Sequence, residues 1–216
     1  MITISAFRWV PTFARGLVRD LRVRWALEEA GLPYEAWLIG PDDQKSESYR
    51  AMQPFGQVPA FEEDNLVLFE SGAILLHIAE KSDVLMPSDS KGRARTTAWM
   101  FAALNSVEPH IQNLTAIDLF HAEEDWAKQR RPAALKLAQT RLTALSDWLD
   151  GREYLEDGFT VADLLMTTVL RIPRGTDLIA QMPTLETYRL RCEARPAFKK
   201  ALAAQMADFT DKASAA

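Results

Sequence analysis

The spacing of apolar and polar positions changes character near residue 82, and the chain divides there into two kinds of pattern. Before that point, short strand-like segments alternate with segments of helical period. Residues 3–7 and 34–39 read as strands. Between them, residues 16–30 form an amphipathic helix pattern closed by Gly31 and Pro33, residue types that end helices. A short helix at 46–52 runs into Pro54-Phe55-Gly56. Residues 60–62 and 66–69 read as two strands joined by the acidic turn Glu63-Asp64-Asn65. Residues 71–81 are helical again, with Ile74, Leu75 and Ile78 on one face. The order βαβαββα predicts an α/β unit with a mixed sheet.

Beyond it, residues 83–92 are polar, carry a proline and a glycine, and read as a linker. Strand patterning then stops. Segments 93–114, 131–149, 161–172, 184–193 and 197–209 all carry helical period, which predicts an all-α bundle over residues 93–216. The first unit is placed at 1–82. The small-residue tail 213–216 is expected to fray.

Composition adds constraints. Hydrophobic residues at 48% and charged residues at 25% fit a globular protein with a sizeable core. A net charge of −5 argues against nucleic acid and anionic membrane surfaces as partners. No apolar run approaches the roughly 20 residues needed to span a bilayer. The opening MITISAFRW enters a strand pattern without signal-peptide features, so a cytoplasmic location is expected. Cys192 is the only cysteine, which rules out an intrachain disulfide or a cysteine-based zinc cluster. His77, His110 and His121 lack metal-ligand spacing and read as structural, so no metal is expected.

Three short motifs carry more. QPFGQVPAF puts Pro59 directly before a strand, where its missing N–H is a liability. Glu70-Ser71 opens a helix, and GFTVADLLM holds a Thr160–Asp163 capping box. Read locally, Ser71 is an N-cap and Glu70 a favourable charge at a helix entrance. In this order and spacing, over essentially the whole chain, the motifs resemble the cytosolic glutathione S-transferases. The resemblance implies a thioredoxin-like domain followed by a helical one, with glutathione as co-substrate. It further implies a cis Val58–Pro59 bond that turns Val58 outward to pair with the cysteinyl backbone of glutathione, like a short added strand. Ser71 and the helix N-terminus would hold the γ-glutamyl carboxylate, and Glu70 the α-amino group. Gln57 and Gln44, with Lys45 as a second candidate, would meet the glycyl end. Asn105 and Ser106, with Trp9, would line an acceptor pocket for a small hydrophobic electrophile. A homodimer is implied, with Phe55 and the 93–114 helix as contacts.

The chain departs from the family where the chemistry belongs. A free thiol is only about 3% thiolate at pH 7, and the family activates it with a Tyr or Ser hydroxyl, or uses a Cys, before the first helix. Counting back from Arg22-Val23-Arg24, the serine position falls near Leu17 and the cysteine position near Arg19. Thr12 is the one hydroxyl in the loop, and Arg15 and Arg19 supply charge that favours a thiolate; a backbone N–H at Gly16 or Leu17 is a further donor. Arg19, Arg22 and Arg24 otherwise read as a solvated helix face. Thr12 and Arg19 are the catalytic candidates. Conjugation of the thiolate to an electrophile is the leading expectation. Glutathione-dependent reduction of a disulfide or peroxide, and a non-catalytic binding scaffold, are the alternatives.

Overall fold

The computed structural model describes residues 1–210, which form two compact units, Met1–Met86 with the segment from Arg195 onward, and Pro87–Ala194. In the first unit four strands pair in the order β2-β1-β3-β4: β1 Ile2–Phe7, β2 Tyr34–Ile39, β3 Phe61–Glu63 and β4 Leu66–Leu68. β1 and β2 are parallel, with Ile2 opposite Tyr34 and Phe7 opposite Ile39. β3 lies antiparallel to β1, Ile4 opposite Phe61, and β4 antiparallel to β3, Phe61 opposite Leu68. Helices α1 Asp20–Ala30, α2 Pro41–Lys45, α3 Glu47–Met52 and α4 Ser71–Ala79 complete the thioredoxin-like arrangement.

β1 and β2 occur where β-branched and aromatic residues recur, and β2 spans the expected residues. The first helix begins later than periodicity predicts. Thr12–Ala14 form a 3₁₀ turn, Gly16 takes φ 76°, and regular α-helix starts only at Asp20. A positive φ cannot continue a right-handed helix, so Gly16 breaks the pattern that its neighbours extend. α2 carries no apolar stripe and was not expected; it is held by Asp43 Oδ2 accepting from Gly40 N at 2.8 Å.

The last helix, α10 Pro196–Asp208, packs on α1 within this unit. By period alone it groups with the helical half, but period does not say what a helix packs against. Trp25 meets Phe198 edge-on at 4.8 Å, and Arg195 forks onto Glu29 at 2.6 and 2.8 Å. With the sheet, α4 and α10 all around it, α1 buries every residue from Asp20 to Leu27. Arg22 and Arg24, read from sequence as a solvated face, lie inside.

The second unit is helical: α5 Ser90–Phe101, α6 Glu108–Phe120, α7 Asp125–Leu149, α8 Val161–Leu170 and α9 Pro183–Glu193. The expected single helix over 93–114 is interrupted by a π-helical turn, Ala102–Val107. Pro109 follows after one intervening residue; it has no N–H to return to an upstream carbonyl, and the ladder widens there. At α8 the capping box forms as expected. Asp163 accepts from Thr160 N and Leu155 N at 2.9 Å each, and the Tyr188 hydroxyl donates to it at 2.9 Å. Burial raises the Asp163 carboxyl above its ordinary range, and these donors oppose the rise. The tail 213–216 lies outside the described residues.

Candidate functional site

Strand register brings four connections to one end of the sheet. Parallel β1 and β2 both finish there, so the segments after Phe7 and Ile39 leave from it. β3 enters there and β4 ends there, because Phe61 pairs with both Ile4 and Leu68. Trp9, Thr12, Gln44, Gln57, Val58, Pro59, Glu70 and Ser71 all lie on these segments.

The approach to β3 is held by a relay of hydroxyls. The Tyr49 hydroxyl donates to Gln57 O at 2.6 Å, so the Ser5 hydroxyl donates to Tyr49 at 2.7 Å. Ser5 Oγ in turn accepts from Ala60 N at 2.7 Å, and Ser5 N donates to Ala60 O at 2.9 Å. Burial raises the Tyr49 hydroxyl pKa, which keeps it a proton donor. Between these anchors the Val58–Pro59 bond is cis. The Val58 side chain packs with Ile39, Tyr49 and Ala60. Its N–H and C=O make no hydrogen bond among the described residues. A backbone donor and acceptor left open beside a strand can take an extended peptide.

The α4 end supplies charge complementarity. Glu70 is the N-cap residue, exposed, with φ 68°, and gives no side-chain cap. Ser71, expected to be the cap, is instead the first helical residue and is buried at 5% exposure. Its hydroxyl receives Arg22 Nη1 at 3.3 Å. A left-handed residue before the helix turns the Glu70 side chain away from the first-turn amides, so the N-terminal N–H groups keep their partial positive charge. An uncapped helix N-terminus beside a buried guanidinium favours a carboxylate.

The remaining candidates are placed as follows. α2 sets Gln44, whose Nε2 donates to Gly56 O at 2.7 Å. Gly56 has φ 63°, and a Cβ there would stand 3.1 Å from Gln44 O, so the turn requires glycine. Gln57 is exposed and adjoins Val58; Lys45 is exposed as well. Thr12 is exposed in its 3₁₀ turn, and Arg19, half-buried, is the N-cap residue of α1. Trp9 is half-buried. Val18, between the two catalytic candidates in sequence, packs onto the Val58 cluster, which ties the loop to the peptide edge. Asn105 and Ser106 belong to the second unit, exposed in its π-helical turn. Cys192 is buried there.

Two side chains at this end were missed by sequence reasoning. Arg22 reaches Ser71 across 49 positions, and no local pattern marks it. Arg8 bonds Leu38 O at 2.9 Å and Asp43 at 3.2 Å, joining the segments after β1 and β2. Behind them, Asp20 is fully buried between Arg24 at 2.8 Å and Gln205 at 2.7 Å. Burial pushes its carboxyl up to about 6 against the pull of Arg24 and the Gln205 amide. Among the described residues no group of three or more His, Cys, Asp and Glu is placed to hold a metal ion. No described helix is long and apolar enough to cross a membrane.

Comparison with known proteins supports the fold. Residues 14–80 match the family described as glutathione S-transferase, N-terminal domain. A glutathione S-transferase of Hyoscyamus muticus is 30% identical over 84% of this chain and 92% of its own. The disulfide-bond oxidoreductase YfcG of Escherichia coli is 28% identical over 84% of this chain and 89% of its own. Among solved structures, a glutathione transferase family member from Pseudomonas fluorescens, with two glutathione bound, superposes with a TM-score of 0.81. It is 26% identical and is matched over 93% of this chain and 92% of that one.

Proposed function

The chain belongs to the glutathione S-transferase family, and on that premise we propose that it binds glutathione where Val58, Glu70 and Ser71 meet and transfers the thiolate to a small apolar electrophile. The reading rests on one juxtaposition: an open backbone pair at Val58 and an uncapped, guanidinium-flanked helix N-terminus at Ser71, at the same sheet end. The cysteinyl residue pairs with Val58 N–H and C=O. The γ-glutamyl carboxylate takes the first-turn amides of α4 and the Ser71 hydroxyl, and Glu70 accepts from the α-amino group. Gln57, Gln44 and Lys45 serve the glycyl end.

The thiol loses its proton to solvent, and donors near the start of α1 favour the anion. Thr12 by its hydroxyl and Arg19 by its charge are the side chains assigned to this role. The thiolate then forms a carbon–sulfur bond as the acceptor's leaving group departs with its electron pair. A cytoplasmic protein engaged in detoxification accords with this chemistry. Leu17 and Arg19, standing where the family's serine and cysteine fall, favour a second reading, in which the bound thiolate attacks a disulfide, expelling one sulfur as a thiolate and leaving a mixed disulfide that a second glutathione thiolate resolves to glutathione disulfide. The similarity to a disulfide-bond oxidoreductase supports it.

Calorimetry with glutathione and with cysteinylglycine tests the site. Losing the γ-glutamyl group removes at least one charge-assisted hydrogen bond, and the affinity is expected to fall by about tenfold or more. Equal affinities would overturn the Ser71 assignment, and no glutathione binding at all would overturn the reading. Assays of aromatic-halide conjugation and of disulfide reduction then separate the two reactions. Binding with neither activity would identify a scaffold.

A further inference from the structure

The loop from Arg8 to Arg19, which carries both candidate thiol-activating side chains, is held at its start, middle and end by the last described residues of the chain. At its start, Arg8 O accepts from Thr210 N at 2.9 Å and from Thr210 Oγ1 at 3.2 Å. In the middle, Arg15 Nη2 donates to Thr210 O at 2.9 Å, and its guanidinium lies 5.6 Å from the centre of the Phe209 ring. At its end, Gln205 Nε2 donates to Val18 O at 3.1 Å and to Asp20 Oδ1 at 2.7 Å, bridging the loop and the first turn of α1. Gln205 is only 1% exposed. Within the loop, short-range turn bonds such as Ala14 N to Pro11 O and Leu17 N to Ala14 O shape it locally. Such bonds do not set the position of the loop against the sheet. Contacts with a rigid element do that: Gln205 belongs to α10, and Phe209 and Thr210 follow it directly.

We propose that Gln205 and Thr210 are positioning residues for thiol activation: the segment from Gln205 to Thr210 sets where the 8–19 loop presents its donors to the glutathione sulfur. The inference rests on the glutathione reading above for the sulfur, and on the hydrogen bonds alone for the clasp. Neither residue is assigned a contact with the peptide. Loosening the clasp therefore shifts the thiol and the turnover but leaves the binding contributed by Val58 and Ser71.

Two disruptive variants and one control separate the effects. Thr210→Pro removes the N–H and the hydroxyl while keeping the full chain. Phe209, with φ −78° and ψ 125°, already has the extended backbone that a following proline demands. Thr210→Ala keeps the N–H and serves as the rescue. Gln205→Met keeps the volume and removes the bridge. Val18 O retains Leu21 N at 3.0 Å and Asp20 retains Arg24. The lost Gln205 Oε1 is itself buried without a partner among the described residues, so the fold tolerates the change.

Amide hydrogen exchange of ligand-free protein is expected to speed up by about tenfold or more across residues 8–19 in Thr210→Pro and Gln205→Met, and not in Thr210→Ala. Titration of the thiolate absorbance of bound glutathione should then show its pKa raised by about one unit, with the calorimetric Kd changed by no more than about twofold. Unchanged exchange in both variants would overturn the clasp. Faster exchange with an unchanged thiol pKa and turnover would overturn the positioning role. A parent protein that fails to bind glutathione would remove that role too, while exchange still decides the clasp.

Discussion

Ser71 shows how one atom's surroundings change a prediction. As an N-cap it would lose roughly 0.5–2 kcal/mol of stability on truncation, but it occupies the first helical turn and its hydroxyl accepts from Arg22. Ser71→Ala is therefore expected to act mainly on the ligand, costing roughly 1.5–3 kcal/mol of glutathione affinity as a charge-assisted hydrogen bond is lost. Ser71→Asp is the sharper variant. Its carboxylate gains the Arg22 guanidinium and the helix N-terminus, so the melting temperature should hold or rise. The same charge occupies the carboxylate site, and Kd should increase by more than about tenfold. Melting curves and calorimetry on the two variants check this, and an aspartate variant that binds as well as the parent would sink it.

The seam between α1 and α10 is where two elements share a buried charge network. Arg24 donates to Asp20 at 2.8 Å and to Asp208 at 2.6 Å, with Gln205 closing the other side of Asp20. Burial pushes Asp20 up to about 6 from its ordinary 3.8. The folded protein thus holds that proton more tightly than the unfolded chain does. The resulting stability is fully present below about pH 3.8 and is lost as pH rises through about 6. The two values differ by about 2 units, which corresponds to on the order of 3 kcal/mol. Denaturation of the parent and Asp20→Asn at a series of pH values should show their stability difference moving against the parent between pH 4 and 6.5. A difference that stays flat across that window would refute the assignment. Glu63, lowered by His77 and Lys81, acts in the opposite sense and at lower pH, so it does not mask the effect.

For the molecule as a whole, the first unit exposes apolar surface that its own core does not use. Phe55 is 66% and Phe69 37% exposed, and their rings meet edge-on at 6.1 Å. Val67 and Leu66 on the edge strand β4 are also exposed. Exposed apolar side chains beside an open strand edge form a surface that needs a partner, and we propose a second copy of this chain. Light scattering should give twice 24.3 kDa for the parent. Phe55→Asp should give the monomer mass, with its far-ultraviolet circular dichroism unchanged. A parent mass of 24.3 kDa would count against self-association.

What the sequence determined by itself was local. Alternation marked β2 to the residue, period marked most of the longer helices though not their ends and not α2, and Thr160 with Asp163 announced a capping box that the fold builds. The QVP and Glu-Ser motifs marked two of the connections that reach the candidate site, because turn and helix-start chemistry is written in neighbouring residues. Tertiary structure decided the rest. It placed Arg22 on Ser71, turned a supposedly solvated arginine face inward, and shortened the first helix at Gly16. It also brought Asp208 to Arg24 across 184 positions and Thr210 to Arg8 across 202. Periodicity reports that a residue faces something apolar but not which element covers it. A buried charge has no distinguishing pattern until its partner, far along the chain, is folded against it.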